Sequence, residues 1–206
     1  TFFHNVEAVF FWGAFRQKVG VRALAVTIVN FISERKSVWN SDRLIALSER
    51  DSTMLEKIYG RSATDVSAIV LRDVYLGESS PARPVRKEKY ALFVGSVFYA
   101  NLSGILWYAR HVAPALNIKT VVLGRGFEVH KAELERHGNI EVIGSVDSVE
   151  PWYADAEFVV APIFGGSGMK TKVAEALMFG KIVVGTPEAF SGYEGSVSVA
   201  MGDIDD

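Results

Sequence analysis

From residue 90 onward, short apolar runs of strand character alternate with stretches of helical spacing: 90–94, 101–116, 120–123, 128–137, 140–143, 152–155, 157–161, 170–179 and 182–184. Alternation of this kind over short connections predicts a parallel sheet with helices on both faces. Such sheets hold ligands at the carboxyl ends of their strands, where Gly95, Gly124, Gly144 and Gly165 are expected to cluster. Upstream the pattern is coarser. Residues 23–34 are almost wholly apolar for much of their length and predict a buried helix, with strands expected near 44–47 and 68–71. The segment 77–89 is rich in Pro, Ser and charge and predicts a linker. The expected organisation is a partial Rossmann-like domain at 1–76, a linker at 77–89 and a ligand-binding α/β domain at 90–206. The part before the linker is short for a domain that folds alone.

The densest chemistry lies in Ala161-Pro-Ile-Phe-Gly-Gly-Ser-Gly-Met-Lys-Thr-Lys-Val-Ala-Glu-Ala-Leu-Met-Phe-Gly180, where a glycine loop runs straight into a helical stretch. The residues just before it, Glu157-Phe-Val-Val-Ala161, form a β-branched and aromatic run, so the order is strand, glycine loop, helix. Gly165, Gly166 and Gly168 let a backbone come close to a ligand, and a helix start offers unpaired N–H groups and the positive end of its dipole. That combination suits an anion. At helical spacing Val173, Ala174, Leu177 and Met178 are expected to face the sheet, while Lys172 and Glu175 share another face near the loop. A plain surface ion pair between those two is worth only about 0.3–0.5 kcal/mol. Their position directly after a glycine loop favours a ligand instead. Lys170 has two readings, a further contact to the anion or a solvated side chain.

Two better-known motifs do not fit. A P-loop would need a lysine directly after its second glycine, but Met169 separates Gly168 from Lys170 and Ile163 stands at the first glycine. A nucleophile elbow fails because Met169 replaces its last glycine and no histidine follows in the chain.

Composition narrows the field. With 206 residues, 49% hydrophobic and 22% charged, the chain has the make-up of a folded protein with one large core or two small ones. Its 22 Lys+Arg against 24 Asp+Glu leave a net charge of −2, which gives no global attraction to nucleic acid. The chain has no cysteine, which removes disulfides and thiolate metal sites and fits a cytoplasmic location. His4, His111, His130 and His137 show no metal-ligand spacing, so no metal is expected. The aromatic run at 9–18 falls far below the ~20 residues of a spanning helix, and Arg16, Lys18 and Arg22 interrupt it. It reads as a core helix, with an interfacial helix in peripheral membrane contact as the alternative.

Residues Gly166 to Thr186 resemble the donor-binding loop and helix of retaining glycosyltransferases of the two-domain GT-B architecture, the family-four group also called glycosyl transferases group 1. Two further pieces agree. Phe93-Val-Gly-Ser96 with Asn101 and Trp107-Tyr108 looks like the first strand, turn and helix of that family's C-terminal domain. His4-Asn-Val-Glu7, with the run from Asp42 to Asp51 and Tyr59-Gly60, is similar to the second half of its N-terminal domain. The resemblance implies an α/β fold in which a Rossmann-like doubly wound parallel sheet follows part of a second Rossmann-like, acceptor-side domain. It also implies that the family's closing C-terminal helices and part of the natural start are missing from this chain.

The activity implied is transfer of a sugar, with retention and without a metal, from a nucleotide-diphosphate sugar to a carbohydrate or lipid-linked acceptor in polysaccharide or glycoconjugate biosynthesis. No cofactor is implied besides the donor substrate. The resemblance places the diphosphate on Lys172 and the ribose on Glu175, and makes His4 a donor-sugar contact; these three are the catalytic candidates. Donor-binding candidates are Gly95, Ser96, Asn101, Gly165, Gly166, Ser167, Gly168, Met169, Lys170 and Thr171, and Ser145 and Val146 are base-binding candidates. The chain departs from the family at Ser167, where members often carry the first of two glutamates, and at Ser96 and Asn101, which replace the usual Arg and Lys. Two other classes share these features: a non-catalytic nucleotide-sugar-binding module, and a nucleotide-sugar epimerase of GT-B architecture. The epimerase would need further acidic and histidine residues that the Gly165 region does not show.

Overall fold

The computed structural model describes residues 1–16, 21–72 and 86–193. Most of the expected linker at 77–89 and the end of the expected second domain lie outside the described residues. The chain divides into two compact units. One holds residues 1–69 together with 165–170 and the stretch from Pro187; the other holds 70–164 and 171–186. The glycine loop and the segment after Thr186 thus group with the first unit, although they follow the expected linker in sequence.

The first unit contains a three-stranded parallel sheet in the order β1 (Phe2–Phe3), β2 (Ile45–Ala46), β3 (Asp65–Val66). Its helices are α1 (Glu7–Arg16), α2 (Val21–Asn40) and α3 (Glu49–Tyr59). The core joins Phe3, Val6, Val38, Leu44, Ala46, Leu55 and Tyr59. Ser48 caps α3: its Oγ accepts the Asp51 N–H and donates to Asp51 Oδ2 at 2.7 Å.

Two expectations for this unit fail. Residues 23–34 are helical, but Val26, Ile28, Val29, Phe31 and Ile32 are exposed and only Ala23 and Glu34 are buried among them. A nearly continuous apolar run shows helical length without showing which face is covered. The strand expected at 68–71 forms earlier, at Asp65–Val66, because pairing with β2 sets Val66 opposite Ala46.

Glu34 is the one charged side chain of α2 that is buried, and it closes the start of α1. Its carboxylate accepts the N–H groups of Glu7 at 2.7 Å and Ala8 at 3.1 Å, and the Tyr59 hydroxyl at 2.6 Å. Orphan N–H groups of a helix start are thereby satisfied from another helix. Burial, and then the bond to Glu34, push the Tyr59 phenol upward, which keeps it a donor. Glu34→Ala leaves three donors without this acceptor and should lower stability by about 1–3 kcal/mol. A fall in the thermal midpoint for the alanine variant, recovered only in part by Glu34→Gln because its amide keeps one acceptor oxygen, checks this; an unmoved midpoint for the alanine variant contradicts it.

The second unit is a five-stranded parallel sheet in the order β6-β5-β4-β7-β8, with β4 (Tyr90–Val94), β5 (Lys119–Leu123), β6 (Ile140–Gly144), β7 (Phe158–Ala161) and β8 (Ile182–Gly185). Helices α4 (Tyr99–His111), α5 (Lys131–Glu135), α6 (Glu150–Asp155) and α7 (Thr171–Met178) connect the strands. Strand alternation separates two cores. Ala91, Phe93, Val122 and Val142 pack with Ile105 and Ala109 of α4 and Leu134 of α5. Tyr90, Leu92, Val121 and Val159 pack with Tyr153 of α6 and Ala176 of α7. The inner strands β4, β5 and β7 are therefore covered on both faces, as apolar strands require, while Ile182 and Val184 of the edge strand β8 stay exposed. The helix expected over 101–116 ends at His111, and Ala113–Ala115 form a 3-10 turn around Pro114, which cannot continue an α-helix.

The chain runs outward from β4 through β5 to β6, then returns to the other side of β4 with β7. A doubly wound sheet opens a crevice beyond the carboxyl ends of its strands at such a reversal. Gly95 follows β4 at that point.

Candidate functional site

Phe93 lies inside the sheet core, and the chain turns at Gly95 into α4. Asn101, buried in the first turns of α4, donates from Nδ2 to the Ser96 carbonyl at 2.8 Å and so clamps the turn. Its Oδ1 accepts from Lys172 Nζ at 2.6 Å. The same ammonium stands 4.5 Å from the centre of the Phe93 ring. Lys172 itself is buried. An amide oxygen and a ring face together orient the ammonium. A methyl group at Gly95 would fall 2.6 Å from Asn101 Nδ2 and 2.9 Å from Lys172 Nζ, so only glycine leaves this arrangement room.

The Gly95 turn rests on the end of β5. Gly95 N–H donates to the Leu123 carbonyl at 3.0 Å, and Gly124 N–H to that of Gly144 at 2.7 Å. Gly124 has φ 139° and lies directly against the Gly95 carbonyl. Gly95 and Gly124, which follow β4 and β5, and Gly144, which ends β6, are therefore one packed set at the carboxyl edge of the sheet.

On α7 the buried face consists of Lys172, Val173 and Ala176, while Leu177 is exposed. This corrects the expected facing of the helix: Lys172 occupies an inward position because Asn101 and Phe93 receive its head group. Burial also removes the plain reading of Lys172 as half of a surface ion pair. Glu175 accepts a hydrogen bond at Oε2 from the Tyr153 hydroxyl at 2.8 Å. A pocket of about 140 Å³ opens beside it, lined in part by Glu175, Tyr153, Val149, Phe179 and Arg72. Thr171 is the exposed first residue of α7.

Ser145 and Val146 follow β6, but the Ser145 N–H is committed to Glu128 Oε1 at 2.8 Å. Glu128 also accepts the Gly126 N–H at 2.7 Å, and the bond from its own backbone N–H, followed by those from Ser145 and Gly126, holds its carboxyl below the usual range. Val146 packs partly against the core on the α6 and α7 side.

The other predicted residues belong to the first unit. A methyl at Gly168 would fall 2.7 Å from the His4 carbonyl oxygen and 3.0 Å from Asn5 Cβ, so loop and segment are in close approach. Ser167 Oγ donates to the Val6 carbonyl at 3.3 Å. Met169 packs beside Gly192. Lys170 is largely buried: its ammonium donates to the Gly168 carbonyl at 2.7 Å and pairs with Glu188 at 3.2 Å. Burial lowers its pKa, with Glu188 opposing the shift. Glu188 also pairs with Arg50 at 2.8 Å. The Tyr193 hydroxyl donates to the Lys170 carbonyl at 2.8 Å. Around Gly166 there is open space.

The structure thus brings Gly95, Ser96, Asn101 and Lys172 together, and separately His4, Ser167, Gly168 and Lys170. Sequence reading missed Phe93, Tyr153, Arg50 and Glu188. The first two occupy ordinary apolar positions, and nothing in the local pattern pairs the last two with a loop lysine. Among the described residues no group of three or more His, Asp or Glu could hold a metal ion. No described helix is long and apolar enough to cross a membrane.

A doubly wound parallel sheet with a glycine turn and a buried lysine at its switch point defines a Rossmann-like domain of GT-B type. The chain belongs to the glycosyl transferases group 1 family, whose model matches residues 88–205, more than half of the sequence. Among solved structures it is similar to HepE of Anabaena in complex with UDP, with TM-score 0.64 and 14% identity over 96% of this chain and 55% of that one. AviGT4, a glycosyltransferase involved in avilamycin A biosynthesis, matches with TM-score 0.56 and 25% identity over 77% of this chain and 48% of that one. WaaG, a glycosyltransferase involved in lipopolysaccharide biosynthesis, matches with TM-score 0.57 and 18% identity over 73% and 45%. The chain spans about half the length of these structures. No curated protein matches it.

Proposed function

We propose that the second unit binds the nucleoside diphosphate of a nucleotide sugar and that the whole protein transfers the sugar to a polysaccharide or glycoconjugate acceptor with retention of configuration. The observation that carries this reading is Lys172, a buried ammonium aimed by Asn101 and Phe93 beside the Gly95 turn at the sheet's switch point. Family membership and the UDP complex of HepE support it.

In this reading Lys172 and the first N–H groups of α7 receive the diphosphate. As the sugar departs, negative charge grows on the leaving phosphate, and a fixed cation in a partly dry site stabilises that charge more than it stabilises the ground state. Glu175 accepts the ribose hydroxyls. The donor-contact roles of His4 and of Gly165, Gly166, Ser167, Gly168, Met169 and Lys170 rest on the resemblance, as does base contact by Ser145 and Val146. We assign Lys170 the further task of shaping the loop through its bond to the Gly168 carbonyl.

Charge neutralisation by lysine and helix dipole makes a metal dispensable. Nucleoside diphosphates and nucleotide sugars should therefore raise the melting midpoint of the chain, equally with and without EDTA. A panel of ligands with no shift overturns the reading, and a shift that EDTA abolishes overturns its metal independence.

A further inference from the structure

Tyr153 is fully buried on α6, yet its hydroxyl leaves the core and reaches the first turns of α7. It donates to Glu175 Oε2 at 2.8 Å and lies 3.5 Å from the Lys172 carbonyl. Its ring stacks on Phe179, with centroids 5.6 Å apart and planes at 7°, so the side chain is held from both ends. We infer that Tyr153 is the positioning residue for ribose recognition, holding the Glu175 carboxylate in the one orientation that accepts a ribose diol.

The inference rests on the proposed role of Glu175. A free glutamate side chain has three rotatable bonds and loses its rotamer freedom on binding a ligand. A carboxylate offers about four lone-pair directions, and the Tyr153 hydroxyl occupies one on Oε2. The remaining directions are then fixed before a ligand arrives. Two neighbouring hydroxyls need an acceptor in a defined plane, so fixing that plane favours a diol over a single hydroxyl. Burial, followed by the nearby Glu175 carboxylate, pushes the Tyr153 phenol well above its ordinary range, so it remains a donor at any working pH. Position reinforces the point. Tyr153 and Glu175 both line the same pocket, and the tyrosine meets α7 in the turns that carry both Lys172 and Glu175.

Tyr153→Phe removes the hydroxyl and keeps the ring. The test measures, by calorimetry on the full chain, the affinities for UDP, GDP and ADP and for the 2′-deoxy form of the tightest binder. Wild type should prefer the ribonucleotide. Tyr153→Phe should cut that preference by about three- to tenfold, with a smaller effect on the deoxy form, and Glu175→Ala should abolish it. A structural role for Tyr153 would weaken both ligands alike and leave the ratio unchanged. An unchanged ratio in Tyr153→Phe with a lost ratio in Glu175→Ala overturns the inference and leaves the ribose role of Glu175 standing. An unchanged ratio in Glu175→Ala overturns both. Should Tyr153→Phe fail to fold, Phe179→Leu, which frees the ring while retaining the hydroxyl, must lower the ratio in part; an unchanged ratio there is equally fatal. A wild-type chain with no affinity for any of the three nucleotides removes the proposed function and this inference with it.

Discussion

Lys172→Met is expected to lower the affinity of the chain for nucleoside diphosphates by about ten- to a hundredfold, a loss of about 1.5–3 kcal/mol. Methionine keeps the length and most of the volume of the lysine stem, so packing against Phe93 survives while the charge does not. The bond to Asn101 is lost as well, but Asn101 still clamps the Ser96 carbonyl through its other atom. Calorimetry with the diphosphate, beside a thermal melt, separates the effects: affinity falls while the midpoint stays within a few degrees. Unchanged affinity would remove Lys172 from the ligand site. Because the interaction is ionic in a partly buried place, the wild-type affinity should decline only modestly with added salt.

Gly124→Ala is expected to destabilise the second unit by about 2–5 kcal/mol. Two effects add. The backbone at Gly124 has φ 139°, a conformation that residues with a β-carbon rarely adopt, and the new methyl would collide with the Gly95 carbonyl. Gly138 provides the control, since it also has positive φ, at 72°, but nothing lies within 4 Å of a methyl there. Gly138→Ala should cost about 1 kcal/mol, the conformational part alone. Equal losses at the two positions, read from denaturant midpoints, would show that contact with the Gly95 turn contributes nothing.

Much of the second unit could be read from the chain because its elements carry their own patterns. The runs at 90–94, 120–123 and 157–161 became β4, β5 and β7 with shifts of a residue or so at their ends, and the alternation with helices entails parallel pairing. In the first unit the same pattern misleads. The apolar stretch from Ala23 to Ile32 has the period of no single face, and only the packing partners decide that most of it stays exposed. At the site, Lys172, Glu175 and Asn101 were visible through family resemblance. Their supports were not. Asn101 meets Lys172 across 71 residues and Tyr153 meets Glu175 across 22, and a tyrosine in an apolar helix stretch is first of all a core residue. The local sequence also assigns Lys172 to the wrong face, since helical spacing reserves inward positions for apolar side chains and here the ring of Phe93 and the amide of Asn101 make room for a charge.

The carboxylate of Glu34 bears on the order in which the first unit assembles. It joins α1 to α2 across 27 residues and α2 to α3 across 25, so its full set of partners is complete only after both loops have closed. Loop closure must be met before such contacts return anything, which places them late on the folding path. The segment of His4 to Val6, which runs directly into that helix start, is therefore expected to become ordered in the closing steps, once the core of Leu44, Leu55 and Tyr59 exists to receive it. In kinetic terms, weakening Glu34 should hasten unfolding far more than it slows folding, and the first part of the chain to loosen on the way out would be the stretch that carries His4.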